Sequence, residues 1–199
     1  MLCLNSEALA CLCDKRLLED AKAGNVEAQA SLAALYNEYD GINEDQRKAF
    51  FWYYTAAMRG HAESQCMLGS MYYRGNGTSK DYMRAIHWYT KAAELGDAQA
   101  QFTLGCCYHY LEEFDHDFEE AFVWYSIAAN QGHAEAQCNL GLMYLDEPNG
   151  LPESMKNVAY WIGLSYINGS KEAEGYWKDF ELWRHYEYDV LGLIFRKIS

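Results

Sequence analysis

The same residues return every 36 positions along most of this chain. Trp52, Trp88 and Trp124 keep that step, and so do Gly24, Gly60, Gly96 and Gly132. Gln29, Gln65, Gln101 and Gln137 form a third column, and Leu32, Leu68, Leu104 and Leu140 a fourth. Tyr36, Tyr72, Tyr108 and Tyr144 form a fifth, and Ala56-Ala57, Ala92-Ala93 and Ala128-Ala129 share the step. After residue 145 one extra residue enters near Asn149-Gly150, and the pattern resumes at a step of 37 with Trp161 and Gly169. A period of this size marks stacked repeats, each burying its apolar face only against its neighbours.

Each unit reads as two helices, A and B. Ala100, Leu104 and Tyr108 recur at i, i+4 and i+8, one apolar stripe of a helix A. Ala28 and Ala136 repeat the small residue, and Ser64 takes the same place in the second unit. Helix A also carries Gly69, Gly105 and Gly141, with Ala33 in the first unit. A glycine inside a helix costs about 1 kcal/mol against alanine, so its recurrence points to a neighbouring helix passing very close. Helix B carries Ala85, Trp88 and Ala92, with Tyr89 and Ala93 widening the stripe.

The punctuation agrees with that division. Asp45, Asp81, Asp117 and Ser154 share one repeat position and fit the N-caps of the B helices. Gly60, Gly96 and Gly132 fit the left-handed residue that ends helix B. Asn25, Asp97 and Ser170 follow such glycines and fit the caps of the next A helix, while Gly41 and Gly77 mark the turn within a unit. His61 and His133 occupy one column after the turn glycine, a register that makes them structural.

The run from Gly132 to Tyr144 (GHAEAQCNLGLMY) and the run from Ala85 to Gly96 (AIHWYTKAAELG) closely resemble the Sel-1-like repeat, one of the tetratricopeptide-type solenoids. The resemblance extends from about Leu17 to Glu174. Two positions depart from it: Ala33 for glycine in the first unit, and Glu113 where the second has Gly77. It implies an all-α, right-handed solenoid of about four two-helix repeats with helical caps at both ends. The expected organisation is a single domain over 1–199, with an N-terminal capping helix at 5–24 and repeats at 25–60, 61–96, 97–132 and 133–169. A C-terminal capping helix and tail follow at 170–199. In the first cap Ala21 keeps register with Ala57, and Arg16 replaces tryptophan. The last begins as a helix A and is read as an aromatic helix to 191, with Trp177, Phe180, Trp183 and Leu191 sealing the array.

Composition bounds the partners. The formal charge of −13 over 199 residues disfavours nucleic acid and anionic membrane, and favours a basic protein or simply solubility. No apolar run approaches the ~18 residues that a membrane span needs. The N-terminus lacks a basic residue before Lys15 and meets Glu7 early, unlike a secretory signal, so a cytoplasmic protein is expected. The seven cysteines include no metal-type doublet and show no regular pairing, which suits reduced thiols in a reducing compartment. The secreted branch of the resembling family pairs cysteines within each repeat, and no such pair recurs here.

Chemistry is sparse. Gly75-Asn76-Gly77-Thr78 lacks the ending of a phosphate loop, and no Gly-x-Ser-x-Gly elbow occurs. The nearest thing to a metal cluster is Cys106, Cys107, His109, Asp115, His116 and Asp117. Asp117 already serves as a cap there, and the adjacent cysteines diverge by ~100° on a helix. No catalytic residue, cofactor or metal site is assigned, and the chain is read as a non-enzyme. A rival reading, a hydrolase or small-molecule binder, would use Cys106 with His109 in the third repeat.

In solenoids of this type the A helices line the concave side. Columns not needed for the core then give the partner-binding residues Tyr73, Arg74, Phe102, His109, Tyr110, Leu142, Leu145, Asp146, Asp179 and Trp183. Glu27, Glu63 and Glu135 also fall there, but the helix dipole alone would favour an acid in a first turn. Glu112, Glu113, Phe114 and Asp115 form a secondary acidic site on the third turn, read either as a solvated loop or as a dock for a basic protein. The expected function is an adaptor, scaffold or inhibitor, monomeric, holding a basic protein partner on an acidic, aromatic face. A narrower form is an immunity-type protein that neutralises a toxin, and a further rival is a structural protein that self-associates. The partner's identity is not legible.

Overall fold

The computed structural model describes residues 15–38, 43–111, 116–145 and 152–182. Among the described residues every regular element is a helix. We number them α1 (residues 15–22), α2 (Val26–Glu38), α3 (Asn43–Ala57), α4 (Ala62–Arg74), α5 (Tyr82–Glu94), α6 (Ala98–Tyr110), α7 (Phe118–Asn130), α8 (Ala134–Leu145), α9 (Pro152–Ile167) and α10 (Lys171–Asp179). The pairs α2–α3, α4–α5, α6–α7 and α8–α9 are the four repeats of an all-α solenoid. The chain divides into two compact units, Met1–Asp97 and Ala98–Ser199.

The junctions between repeats are built alike. Helix B ends on a glycine with φ between +85° and +98°, at Gly60, Gly96, Gly132 and Gly169. The next residue donates its backbone N–H back to the helix, as from Asp97 to the Ala92 carbonyl (3.1 Å), His133 to Ala128 (3.1 Å) and Ser170 to Ser165 (3.1 Å). These bonds satisfy carbonyls that a helix end leaves without partners. At four of the junctions that same residue also caps the following A helix. Asn25 Oδ1 accepts from the Ala28 N–H (2.9 Å), and Ser170 Oγ from Ala173 (3.2 Å). His61 and His133 cap through Nδ1, accepting from Ser64 (3.2 Å) and Ala136 (3.3 Å). Two histidines at a cap column are therefore structural, in place of the usual serine or aspartate.

Two of the four expected B-helix caps hold. Asp81 accepts from Arg84 N–H (2.9 Å) and Asp117 from Glu120 N–H (3.0 Å). The other two are corrected. α3 begins at Asn43, so Asp45 lies within its first turn and pairs with Lys48 Nζ at 3.3 Å. α9 begins at Pro152, whose fixed φ suits the first helical position, and Ser154 falls inside it.

The close approach anticipated at the helix-A glycines is present. A β-carbon at Gly69 would lie 2.8 Å from the Tyr89 ring, and one at Gly141 2.8 Å from Ile162 Cγ1. The partner is thus the B-helix residue that follows the tryptophan. Tyr53, Tyr89, Tyr125 and Ile162 are all buried, whereas of the repeated tryptophans only Trp88 is fully buried. Trp52 packs against the cluster of Ala21, Ala28 and Leu32 as well as that of Ala49 and Tyr53, and Trp161 packs against the cluster that joins α7 to α8.

The buried glutamines tie each A helix to the B helix before it. Nε2 of Gln29, Gln65 and Gln137 donates to the carbonyl of Ala21, Ala57 and Ala129, each at 3.0 Å. Their Oε1 atoms fare differently. Gln131 Nε2 donates to Gln101 Oε1 (2.6 Å), and Asn168 Nδ2 to Gln137 Oε1 (2.9 Å). The Oε1 atoms of Gln29 and Gln65 are buried without a hydrogen bond. Gln131 and Asn168 share a column with Arg59 and Leu95. Arg59 donates to the Gly24 carbonyl, and Leu95 has no side-chain donor to offer.

The ends differ from the expected helices. Ala21 of α1 is buried with Ala28 and Leu32. At the other end α10 stops at Asp179 instead of running on to 191, with Phe180 as its C-cap and Glu181 at φ +48°. Trp177 and Leu182 seal the last cluster, whereas Phe180 is exposed. Trp183 and Leu191 lie outside the described residues.

Candidate functional site

In the first unit, Tyr73 near the end of α4 packs against Tyr82 (ring centroids 5.2 Å) and is half-buried, and Arg74 beside it is exposed. Lys80 Nζ lies over both rings, 4.6 Å from Tyr82 and 6.0 Å from Tyr73. Two further cations cover rings of the tyrosine column: Lys48 over Tyr36 (5.5 Å) and Arg84 over Tyr72 (5.6 Å). Such placements are favourable because the ring face carries negative potential.

In the second unit the corresponding turn is lined with rings. His109 takes the place of Tyr73, His116 that of Lys80 and Phe118 that of Tyr82. His116 stacks on Phe118 (6.4 Å, 18°), and its Nδ1 lies 3.1 Å from the His109 carbonyl. His109 stacks in turn on Tyr110 (4.2 Å, 9°). Tyr110 itself is 62% exposed, the most open of the expected partner-binding rings among the described residues.

The remaining expected contacts are more covered. Phe102 is half-buried, 4.7 Å from the His133 ring and 6.0 Å from Tyr125. Leu142 and Leu145 pack partly against the cluster that contains Cys138, Val158 and Ile162. Asp179 is exposed at the end of α10. Asp146, Trp183 and the acidic group Glu112, Glu113, Phe114 and Asp115 lie outside the described residues.

Tyr176 was not among the residues that sequence patterning singled out. It lies one turn after Glu172 on α10, half-buried, with its ring stacked on Phe180 (5.9 Å, 5°). The Glu172 charge is felt across this region. Burial raises the Tyr110 and Tyr176 hydroxyls and the Cys138 thiol, and the Glu172 charge adds to it at each, behind Cys106 at Tyr110. The i, i+4 spacing of Glu172 and Tyr176 was the available signal.

The third repeat is not arranged for nucleophilic chemistry. Tyr125 O–H donates to Cys106 Sγ (3.4 Å) and lies 3.5 Å from His109 Nδ1, so it stands between thiol and imidazole. Burial raises the Cys106 thiol, the opposite of what a thiolate nucleophile requires. Burial also pushes Cys66, Cys107 and Cys138 up to about 12. All four of these cysteines are free thiols. Among the described residues no three His, Cys, Asp or Glu side chains are grouped to hold a metal ion.

The Sel1 repeat family model matches residues 26–61, 62–97, 98–133 and 134–161, well over half of the chain. This chain belongs to the Sel1 repeat family. Its solenoid is of the kind generally used for protein–protein interaction. It is similar to a Sel1 repeat protein from Oxalobacter formigenes, with 31% identity and a TM-score of 0.72 over 81% of this chain. It spans 64% of that protein's length, under two thirds. Looser likenesses are to c5321, a protective antigen of uropathogenic Escherichia coli (26% identity, TM-score 0.47, 80% of this chain and 42% of that one), and to the immunity protein Pa5087 of Pseudomonas aeruginosa (22% identity, TM-score 0.40, 75% of this chain and 68% of that one). Neither adds to the argument at those scores. No curated protein matches the sequence.

Among the described residues no helix of this Sel1 repeat chain is long and apolar enough to cross a membrane.

Proposed function

We propose that this chain is a monomeric scaffold or inhibitor that holds a basic protein partner on the face lined by its A helices. The observation that carries this reading is the composition of those helices in the second unit. α6 and α8 contain no lysine or arginine, and the acid Glu135 is their only carboxylate. Large rings, Phe102 and Tyr110, stand on the same helices, and rings of that kind anchor interfaces. The net charge of −13 extends the attraction beyond contact range. An immunity-type role is a narrower form of the same reading, with a basic toxin as the partner. Free thiols at Cys66, Cys106, Cys107 and Cys138 support a cytoplasmic, reducing location.

The test begins with affinity capture from the native host, followed by binding measurements on the recovered partner. Phe102→Ala, Tyr110→Ala and Trp183→Ala should each weaken binding by about 2 kcal/mol or more, mainly through faster dissociation. Neutralising Glu112, Glu113 and Asp115 together should mainly slow association, and less so in high salt. If the three ring variants fold and bind normally while the acidic triple variant abolishes binding at every salt concentration, the A-helix reading is wrong and the partner sits on the third turn.

A further inference from the structure

Asn-Gly pairs occur twice among the described residues, in opposite surroundings; a third, Asn149-Gly150, lies outside them. Asn168-Gly169 follows α9, and there both groups of the pair are occupied. The Asn168 amide donates to Gln137 Oε1 (2.9 Å) and to the Gly132 carbonyl (3.4 Å), and the Gly169 N–H donates to the Tyr166 carbonyl (3.1 Å). Asn76-Gly77 lies in the turn between α4 and α5. The Asn76 backbone N–H donates to the Met71 carbonyl (3.0 Å), but neither the Asn76 side-chain amide nor the Gly77 N–H has a hydrogen-bond partner among the described residues. Asn76 is partly exposed, and Gly75 and Gly77 on either side of it have φ of +80° and +68°. Glycine adopts these conformations without strain and leaves the Gly77 nitrogen unshielded by a side chain. Gly77 is also seated closely on the N-terminal end of α3. A β-carbon there would collide with the Gln46 carbonyl oxygen, and would lie 2.6 Å from the carbonyl carbon and 3.0 Å from the Arg47 nitrogen.

We propose that Asn76 is a self-modification site, whose reaction with Gly77 turns the amide into a carboxylate and unseats the α4–α5 turn from α3. The Gly77 nitrogen attacks Cγ of Asn76. A nitrogen–carbon bond forms, the Cγ–Nδ2 bond breaks, and the amide leaves as ammonia, which carries away the Gly77 proton. The resulting succinimide ring takes up one water. Opening at Cγ gives aspartate. Opening at the main-chain carbonyl gives isoaspartate, whose backbone runs through the side chain and is longer by one methylene. Either product adds a negative charge to the turn, but only isoaspartate pushes on Gly77, and the Gln46–Arg47 backbone lies directly against it. Asparagine counts among the thermolabile residues, and the structure decides which asparagine is exposed to this chemistry. At Asn168 the hydrogen bonds withhold both the amide and the attacking nitrogen.

The test incubates the full chain in mildly alkaline buffer, with peptide mapping by mass spectrometry reading each asparagine separately. In the native chain Asn76 should convert about tenfold or more faster than Asn168, because the hydrogen bonds at Asn168 and Gly169 must be released before reaction there. In denaturant, where neither pair keeps its partners, the two should convert at similar rates. After incubation the wild type should contain a fraction that unfolds at lower denaturant concentration, and the Asn76→Gln chain treated alike should not. Asn76→Asp carries the charge without the longer backbone, and should keep the midpoint of the fresh wild type. Native conversion of Asn76 no faster than that of Asn168 overturns the site. Conversion of Asn76 that leaves the denaturation midpoint unchanged overturns the unseating of the turn, and so does an Asn76→Asp midpoint as low as that of the incubated fraction.

Discussion

The ring of Tyr125 lies against the backbone of Gly105 so closely that a β-carbon there would sit 2.5 and 2.6 Å from its Cδ1 and Cε1. Tyr125 is fully buried, so the ring has little freedom to retreat. Gly105→Ala gains about 1 kcal/mol of helix propensity but overpacks the seam, which typically costs about 1–3 kcal/mol or more. A net loss of stability is expected in chemical denaturation. Gly175 in α10 is the internal contrast, since nothing lies within 4 Å of its missing side chain. Gly175→Ala should stabilise by roughly 0.5–1 kcal/mol. Similar effects at the two glycines would show that the Tyr125 contact does not govern the first.

Leu95 is 57% exposed and stands where Gln131 and Asn168 donate to a buried glutamine oxygen. Leu95→Gln should place a donor on Gln65 Oε1, which has none. A gain of about 0.5–1.5 kcal/mol in unfolding free energy is expected. The reciprocal change, Gln131→Leu, should destabilise by a comparable amount. A neutral Leu95→Gln would mean that Gln65 Oε1 is already satisfied by solvent.

Trp88 is the one fully buried member of its column, and Trp88→Ala should cost about 3–5 kcal/mol. The circular dichroism spectrum of the wild type should be dominated by helix. A loss under about 1 kcal/mol would mean that the tryptophan is not part of the core.

The buried thiols make stability depend on pH at the alkaline end. Cys66, Cys107 and Cys138 are raised in the folded chain from 9.0 to about 12. Between those values the unfolded chain has lost protons that the folded chain retains. Stability is therefore full below about pH 9 and falls as pH rises toward 12. At pH 8 the same thiols should react slowly with a disulfide reagent in the native protein and fast in denaturant, because only the thiolate attacks. In denaturant all seven cysteines should titrate without prior reduction. Recovery of one to three would contradict a reducing location.

The repeat register was legible because identical residues recur at a fixed step, and each column has one physical job. The helix-A glycines even announced a close neighbour. Which neighbour was hidden, because tryptophan dominates the eye and the larger burial belongs to Tyr89, Tyr125 and Ile162 beside it. Asp45 and Ser154 misled because one column was assumed to mean one role. Helix starts are set locally, at Pro152 by a fixed φ, and not by the array. Leu95 is invisible for the opposite reason: the glutamine column looks uniform, while its satisfaction depends on a residue 30 positions later. At the candidate site the openness of Tyr110 followed from its column, which packing does not need.

The residue after each of Gly60, Gly132 and Gly169 closes the old helix and opens the new one, and the glycines at Gly60, Gly96, Gly132 and Gly169 share the same left-handed backbone. Nothing lies within 4 Å of the missing side chain at any of the four. The joints are therefore interchangeable, like standard couplings on a pipe. Loss or duplication of one unit at the DNA level would rejoin a B helix to an A helix through a turn the chain already uses. Array length in such a protein is free to drift by whole units, and reach along a partner can change in steps of one helix pair without inventing a new turn.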